Sequence, residues 1–228
     1  MSIHLQMLPP SVNNMTARVF MRASGLSFTE ENAWGKTRSD EYMAKVPSHL
    51  TPAIEVADHP RGAMWESVAI MMYLCNKHSL TQFYPAEPGK RALVDSANLY
   101  LTGTLYPLVS RSTYPRLGFP CYPGEVAASE TADDTLKAQA RKEAEEALAE
   151  PLEVFRSYFV RDGFIGDGTH PSIADIRLAC TLEFLAMNDA PLPAWVSAYR
   201  QRVEQALGNA YAEPAADVRG FVAQAKAG

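Results

Sequence analysis

The chain has 228 residues, of which 47% are hydrophobic and 21% charged, and it carries a formal net charge of −5. That length supports a sizeable core in one large or two modest domains, and the composition is that of a folded globular protein. The acidic balance argues against a nucleic-acid surface, which needs clustered Lys and Arg, and no apolar run reaches the roughly 20 residues of a membrane span.

Ile3–Leu8 reads as a short strand with Ile3, Leu5 and Met7 on one face. Pro9-Pro10 ends it, and the loop Ser11-Val12-Asn13-Asn14 is rich in capping residues. A helix is expected from about Met15 to Ser24, stopped by Gly25, and Ser27–Asn32 is a plausible second strand. Strand–helix–strand in that space is the unit that builds a parallel pair. A short helix near Asp40–Lys45 ends before Pro47. Strands follow at Ala53–Val56 and Ala63–Trp65, joined by the hairpin turn His59-Pro60-Arg61-Gly62. Ser67 to about Lys77 is a third helix. Leu80–Gly89, with two prolines and a glycine, reads as a linker.

Everything after that linker is helical in pattern. The expected helices are Arg91–Ser112, Thr131–Val160 (kinked or divided at Pro151), Ser172–Ala186, Pro193–Leu207 and Asp217–Lys226. Tyr114–Ser129 is read as an irregular loop, and Asp162–Gly168 as a turn. The helix Ser172–Ala186 is apolar on so many sides that it should be buried at the centre of the second half. Ser172 and Asp175 form a capping box at its start. The expected division is therefore 1–79, a linker at 80–89, and an all-helical domain at 90–228. Cys75, Cys121 and Cys180 make neither a Cys-x-x-Cys pair nor a zinc spacing, so each is read as a small hydrophobe and no metal is expected. The first residues, Met1-Ser2-Ile3-His4-Leu5, lack the basic start and apolar core of a signal peptide, so the cytoplasm is the expected location.

Glu66-Ser67 stands where a strand turns into a helix. Free backbone N–H groups and the positive end of the helix dipole favour a carboxylate there, while the Glu66 carboxylate attracts an ammonium. Together they suit the α-amino acid end of a peptide. The plainer reading is a helix cap with an acid beside it.

The βαβαββα order, Thr51-Pro52 before a strand, Glu66-Ser67 at the third helix and Pro171-Ser172-Ile173-Ala174-Asp175-Ile176 opening the buried helix resemble glutathione S-transferases over essentially the whole chain. The resemblance implies a thioredoxin-like α/β N-terminal domain and an all-α C-terminal domain. It implies glutathione as co-substrate, a small hydrophobic or aromatic electrophile as the other substrate, a role in detoxification, and a homodimer with neither nucleic acid nor membrane as partner. Pro52 would be a cis-proline presenting the Thr51 backbone to the cysteinyl part of glutathione, with Glu66 and Ser67 on the γ-glutamyl end. Pro10-Ser11-Val12-Asn13-Asn14 resembles the Ser-x-Asn-Ser pattern of serine-type, theta-like and bacterial members. Ser11 is therefore the first choice to stabilise the thiolate and Asn13 the second; capping is the alternative role for Asn13 and Asn14.

Leu50 occupies a position where family members often carry Lys. His49, Lys36 or Arg38 would then face the glycine carboxylate. Tyr100, Tyr106, Arg111, Tyr114 and Phe119 are candidates for the electrophile pocket, with helix packing as the alternative for each. The other functions the resemblance leaves open are a specialised glutathione-dependent etherase, dehalogenase or disulfide reductase, and a binding protein without turnover.

Overall fold

The computed structural model describes residues 3–118, 133–161, 163–166 and 168–227. Phe119, Cys121 and most of the loop expected up to Ser129 lie outside the described residues. The N-terminal elements are β1 (Ile3–Met7), α1 (Val12–Ser24), β2 (Phe28–Asn32), α2 (Asp40–Lys45), β3 (Ala53–Glu55), β4 (Ala63–Trp65) and α3 (Ser67–His78). The sheet order is β2-β1-β3-β4, with β2 parallel to β1 and the other two pairs antiparallel. Ile3, Leu5 and Met7 are buried in strict alternation on β1, as the period-two pattern requires. The turn after β3 closes where expected, with Gly62 N–H donating to the His59 carbonyl at 2.9 Å.

The second half contains α4 (Pro88–Tyr100), a π-helical turn at Leu101–Leu105, and α5 (Tyr106–Leu117). Then come α6 (Asp134–Ala147), α7 (Ala149–Val154) with a π turn at Phe155–Phe159, and α8 (Ile173–Glu183) with a 3₁₀ turn at Phe184–Met187. It ends with α9 (Ala194–Leu207) and α10 (Asn209–Ala227). Every residue of α8 is buried, and the helix packs against α1, α4 and α9, so it stands at the centre as its apolarity predicts.

Several boundaries differ from those expected. Helix α1 starts at Val12, three residues early, because Ser11 rather than the asparagines takes the cap position. Helix α4 starts at Pro88, inside the stretch read as linker. Proline at a first helical position gives up an N–H that has no intrahelical partner, and the Glu87 carboxylate accepts from Gly89 and Lys90 N–H at 2.8 and 2.7 Å. Tyr114–Leu117, expected in a loop, continues α5 until Gly118 turns left-handed at φ 69°. The long charged helix does divide near Pro151. That residue has no N–H for the carbonyl four positions back, and that position, Ala147, is the last of α6. Helix α10 starts eight residues before the expected Asp217 and runs through Pro214.

The capping box is present. Ser172 Oγ accepts from Ala174 and Asp175 N–H at 3.2 and 3.4 Å, and the Asp175 carboxylate accepts from Ser172 N–H at 2.8 Å. That carboxylate also receives Ile165 N–H, Ser172 Oγ–H and the Tyr199 hydroxyl. Burial pushes it up to about 6 despite those four donors. Cys75 and Cys180 are buried free thiols, and burial raises the Cys75 thiol to about 12. No helix among the described residues is long and apolar enough to cross a membrane, and no group of metal-ligating side chains occurs among them.

Candidate functional site

Ser11 is the N-cap of α1 with extended backbone (φ −88°, ψ 128°), half-buried, and its side chain makes no capping hydrogen bond. The hydroxyl therefore stands beside the helix's first N–H groups without satisfying any of them. The next residues hold this turn from two sides. Asn14 Nδ2 donates to Thr51 Oγ1 at 3.1 Å, tying α1 to the Thr51-Pro52 bend, where the peptide bond is cis as expected. Asn13 Nδ2 donates to the Tyr106 hydroxyl on α5 at 2.7 Å. Neither asparagine caps the helix.

Glu66-Ser67 lies at the other end of the same bend, because β4 pairs with β3, the strand that leaves Pro52. Glu66 takes the N-cap position of α3 at φ 72°, a left-handed value uncommon outside glycine, and its exposed carboxylate makes no cap bond. Ser67 is the buried first helical residue. The first turn of α3 is thus uncapped by side chains, with a carboxylate beside it, an arrangement able to take an acid and an amine together.

The candidate cations are spread apart. Lys36 is exposed, and its ammonium lies 2.5 Å from Glu31. That contact, together with His4, holds the Glu31 carboxyl below its usual range. Arg38 is exposed. His49 is half-buried at φ 48° within the bend itself. It follows Ser48 in a loop pinned by the Tyr42 hydroxyl, which donates to the Leu50 carbonyl at 2.7 Å. Leu50 is 51% exposed.

On the helical side the Tyr106 hydroxyl bonds to that of Tyr114, and the Tyr114 ring meets Phe184 edge-on at 6.1 Å. Tyr106 and Tyr114 therefore join the Ser11 turn in one cluster. Arg111 is half-buried on the same helix. Tyr100 is different: its ring packs at a tilt against Phe155 and Phe159, at 5.7 and 6.0 Å between centroids, and joins none of the cluster's hydrogen bonds. The π turn between Tyr100 and Tyr106 separates the two groups.

Residues 6–82 match the family model described as "Glutathione S-transferase, N-terminal domain", and residues 138–207 match "Glutathione S-transferase, C-terminal domain". The chain belongs to the glutathione S-transferase family. Within it the chain is theta-like. It is 28% identical over 209 residues to mouse glutathione S-transferase theta-3, covering 88% of this chain and 81% of that protein. It is 28% identical over 180 residues to human glutathione S-transferase theta-1, covering 76% and 69%. Its fold is shared with apo human glutathione S-transferase T1-1, at TM-score 0.78 and 22% identity over 97% of this chain and 91% of that one. It is shared also with a Sulfitobacter glutathione transferase homologue with bound glutathione, at TM-score 0.73 and 16% identity over 93% and 96%.

One residue that joins this cluster is not singled out by the sequence. Arg177, on buried α8, sets its guanidinium 4.7 Å from the centre of the Tyr106 ring. The available signal is a cation in the middle of a mostly apolar helix. Asn14 reads from the sequence only as a cap, because its bond to Thr51 depends on a contact 37 residues away.

Proposed function

We propose that Ser11 stabilises the thiolate of glutathione by donating its hydroxyl hydrogen to the sulfur, and that the thiolate then attacks a hydrophobic or aromatic electrophile. The protein is a glutathione transferase, and glutathione is its co-substrate. The observation that carries the Ser11 assignment is a hydroxyl at the start of α1 that is not used to cap the helix. An ordinary thiol of pKa ~8.5 is only a few per cent ionised at pH 7, so a drop of about two units makes most of it reactive. The work left to the protein is positioning. Asn14 holds the helix turn to Thr51, and Asn13 holds it to Tyr106.

In this reading the γ-glutamyl carboxylate lies at the uncapped first turn of α3, and its ammonium at Glu66. The Thr51 backbone meets the cysteinyl unit as an added strand edge. His49 is the preferred counter-charge for the glycine carboxylate, since it lies in the bend while Lys36 is engaged by Glu31. Tyr106 and Tyr114 face the electrophile, with Arg111 behind them on α5. Tyr100 is assigned to packing. Residues 1–79 form the glutathione-binding domain, 80–89 the connection and 90–228 the electrophile domain. A cytoplasmic homodimer acting in detoxification completes the reading; Trp34, Leu50 and Leu99 are large apolar side chains that a single chain leaves exposed.

The test is a calorimetric titration with glutathione, with thiolate absorbance followed across pH. Binding with a lowered thiol pKa in the wild type, and binding without the lowered pKa in Ser11→Ala, is the expected result. Thiolate absorbance that survives Ser11→Ala removes Ser11 from the mechanism.

A further inference from the structure

Arg177 is 3% exposed, and no carboxylate pairs with it among the described residues. Nη1 donates to Thr181 Oγ1 at 3.2 Å. Nε is sealed from solvent and meets no acceptor. Nη2 has no acceptor among the described residues either, but it is not among the sealed atoms. Glu183, equally buried on the same helix, is treated differently: Arg219, Arg200 and the Tyr211 hydroxyl all meet its carboxylate. A buried guanidinium without a counter-charge is expensive, and the Tyr106 ring face offsets only part of that cost.

The two donors without partners share one edge of the planar group. Nε–H and the nearer Nη2–H run parallel there, at the spacing of two carboxylate oxygens. Arg219 uses this same edge on Glu183, with Nε to Oε2 at 3.2 Å and Nη2 to Oε1 at 2.8 Å. Arg177 lies one tyrosine away from the α1 turn, because its guanidinium sits over the Tyr106 ring and Tyr106 accepts from Asn13, two residues after Ser11.

We propose that the Nε–Nη2 edge of Arg177 takes a carboxylate on the second substrate, which enters at the open Nη2 and displaces the packing that seals Nε, so that the preferred electrophiles are aromatic compounds bearing a ring carboxylate. The proposal rests on the glutathione-conjugating reading and names the substrate class of that same site. With an aryl chloride, the thiolate sulfur forms the C–S bond and chloride leaves with the C–Cl electron pair. The carboxylate is unchanged and serves only as the handle.

The experiment compares 4-chloro-3-nitrobenzoate with its uncharged benzamide, using the full chain and glutathione, in wild type, Arg177→Met and Arg177→Lys. A charge-assisted two-bond contact is worth roughly ten- to a hundredfold. With each kcat/KM divided by the uncatalysed rate constant of the same compound, because a carboxylate activates the ring less than an amide does, the wild type should favour the benzoate by about that factor, expressed mainly in KM. Arg177→Met should bring the ratio to about one. Arg177→Lys should restore only part of it, since an ammonium has no planar two-donor edge. A wild-type ratio near one, or a preference that persists in Arg177→Met, overturns the proposal and leaves Arg177 as packing for Tyr106. If Arg177→Met does not fold, Arg177→Lys decides, with loss of most of the preference as the supporting result and its retention as the refuting one. Unreactive 3-nitrobenzoate, titrated into the wild type and Arg177→Lys by calorimetry, separates the two readings. Binding that weakens at least tenfold in Arg177→Lys supports the carboxylate site even if no thiolate forms. Absent or equal binding refutes that site even if glutathione is fully activated.

Discussion

Replacing Asp175 tests how the centre of the helical domain is held. Its carboxylate accepts from Ile165 N–H at 3.0 Å, Ser172 N–H at 2.8 Å, Ser172 Oγ–H at 2.7 Å and the Tyr199 hydroxyl. In Asp175→Ala the two backbone N–H groups and the buried tyrosine lose their acceptor where water does not reach. At about 1–3 kcal/mol for each stranded donor, the expected loss is about 4 kcal/mol, with the capping box included. Asp175→Asn should cost less, about 2 kcal/mol. Its amide NH₂ can point at Tyr199, whose hydroxyl can turn to accept, while the amide oxygen stays on Ser172 and Ile165.

The pH dependence sharpens this test. The folded carboxyl is raised to about 6 from an ordinary 3.8, so the folded state binds the proton more readily than the unfolded chain. The carboxyl's contribution is therefore full at low pH and is lost as pH rises through 6. Between pH 7 and pH 5 the wild type should gain about 1 kcal/mol that Asp175→Asn lacks, because the amide does not titrate. Urea unfolding of both proteins at the two pH values measures it, and comparing the pair cancels the other titrating groups. A stability gap that stays constant or narrows on acidification refutes the raised carboxyl and the dominance of burial over the four donors.

Other outcomes follow from the same geometry. Ser11→Ala should lower kcat about ten- to a hundredfold at pH 7 and leave glutathione binding within a few-fold, read by calorimetry alongside turnover of an aryl halide. Glu66→Ala should raise the KM for glutathione about tenfold with little change in kcat, since it would remove only the counter-charge to the ammonium; a fall in kcat at saturating glutathione would contradict that role. Glu183→Ala should destabilise by about 3–5 kcal/mol in urea unfolding, because it strands the Tyr211 hydroxyl and leaves Arg219 and Arg200 without their shared buried acceptor. A double-mutant cycle on Asn13→Ala and Tyr106→Phe should show a coupling of about 1 kcal/mol in stability, and additivity there would mean that their 2.7 Å bond contributes nothing.

Much of the architecture is legible locally. The alternation Ile3, Leu5, Met7 marks β1, the apolar width of Ser172–Ala186 marks its central place, and Ser172 with Asp175 announces the cap. Glu66-Ser67 stands out because its chemistry is carried by neighbours in the chain, whereas Ser11 and Thr51-Pro52 are singled out only by the family resemblance. What stays hidden depends on distant partners. Asn13 looks like a capping residue until Tyr106, 93 positions away, is seen to accept its hydrogen bond. Arg177 is lost in an apolar periodicity that records which residues are greasy and not which one is charged. Helix edges shift where a proline acts through geometry: Pro88, read as part of a linker, opens a helix, whereas Pro151 divides one as expected.

The π turn at Leu101–Leu105 has a consequence for how the electrophile side is aimed. Tyr106 N–H bonds to the Leu101 carbonyl, five residues back instead of four, so this turn holds one residue more than an α-helix would. Pro107 follows at once with no N–H of its own and a ring that would crowd the Gly103 carbonyl in a regular helix. The wider turn gives that ring room. One residue in a helix is worth about 100° of rotation. Everything beyond Leu105 is therefore phased against α4 by that single surplus position. Removing Gly103, whose surroundings are open, would restore ordinary winding and swing Tyr106 and Tyr114 about a quarter-turn away from Asn13 and Arg177. The helix acts here as a dial: the choice of which side chains face Asn13 and Arg177 is set by the count of residues before them, and it can be changed without altering the identity of any of them.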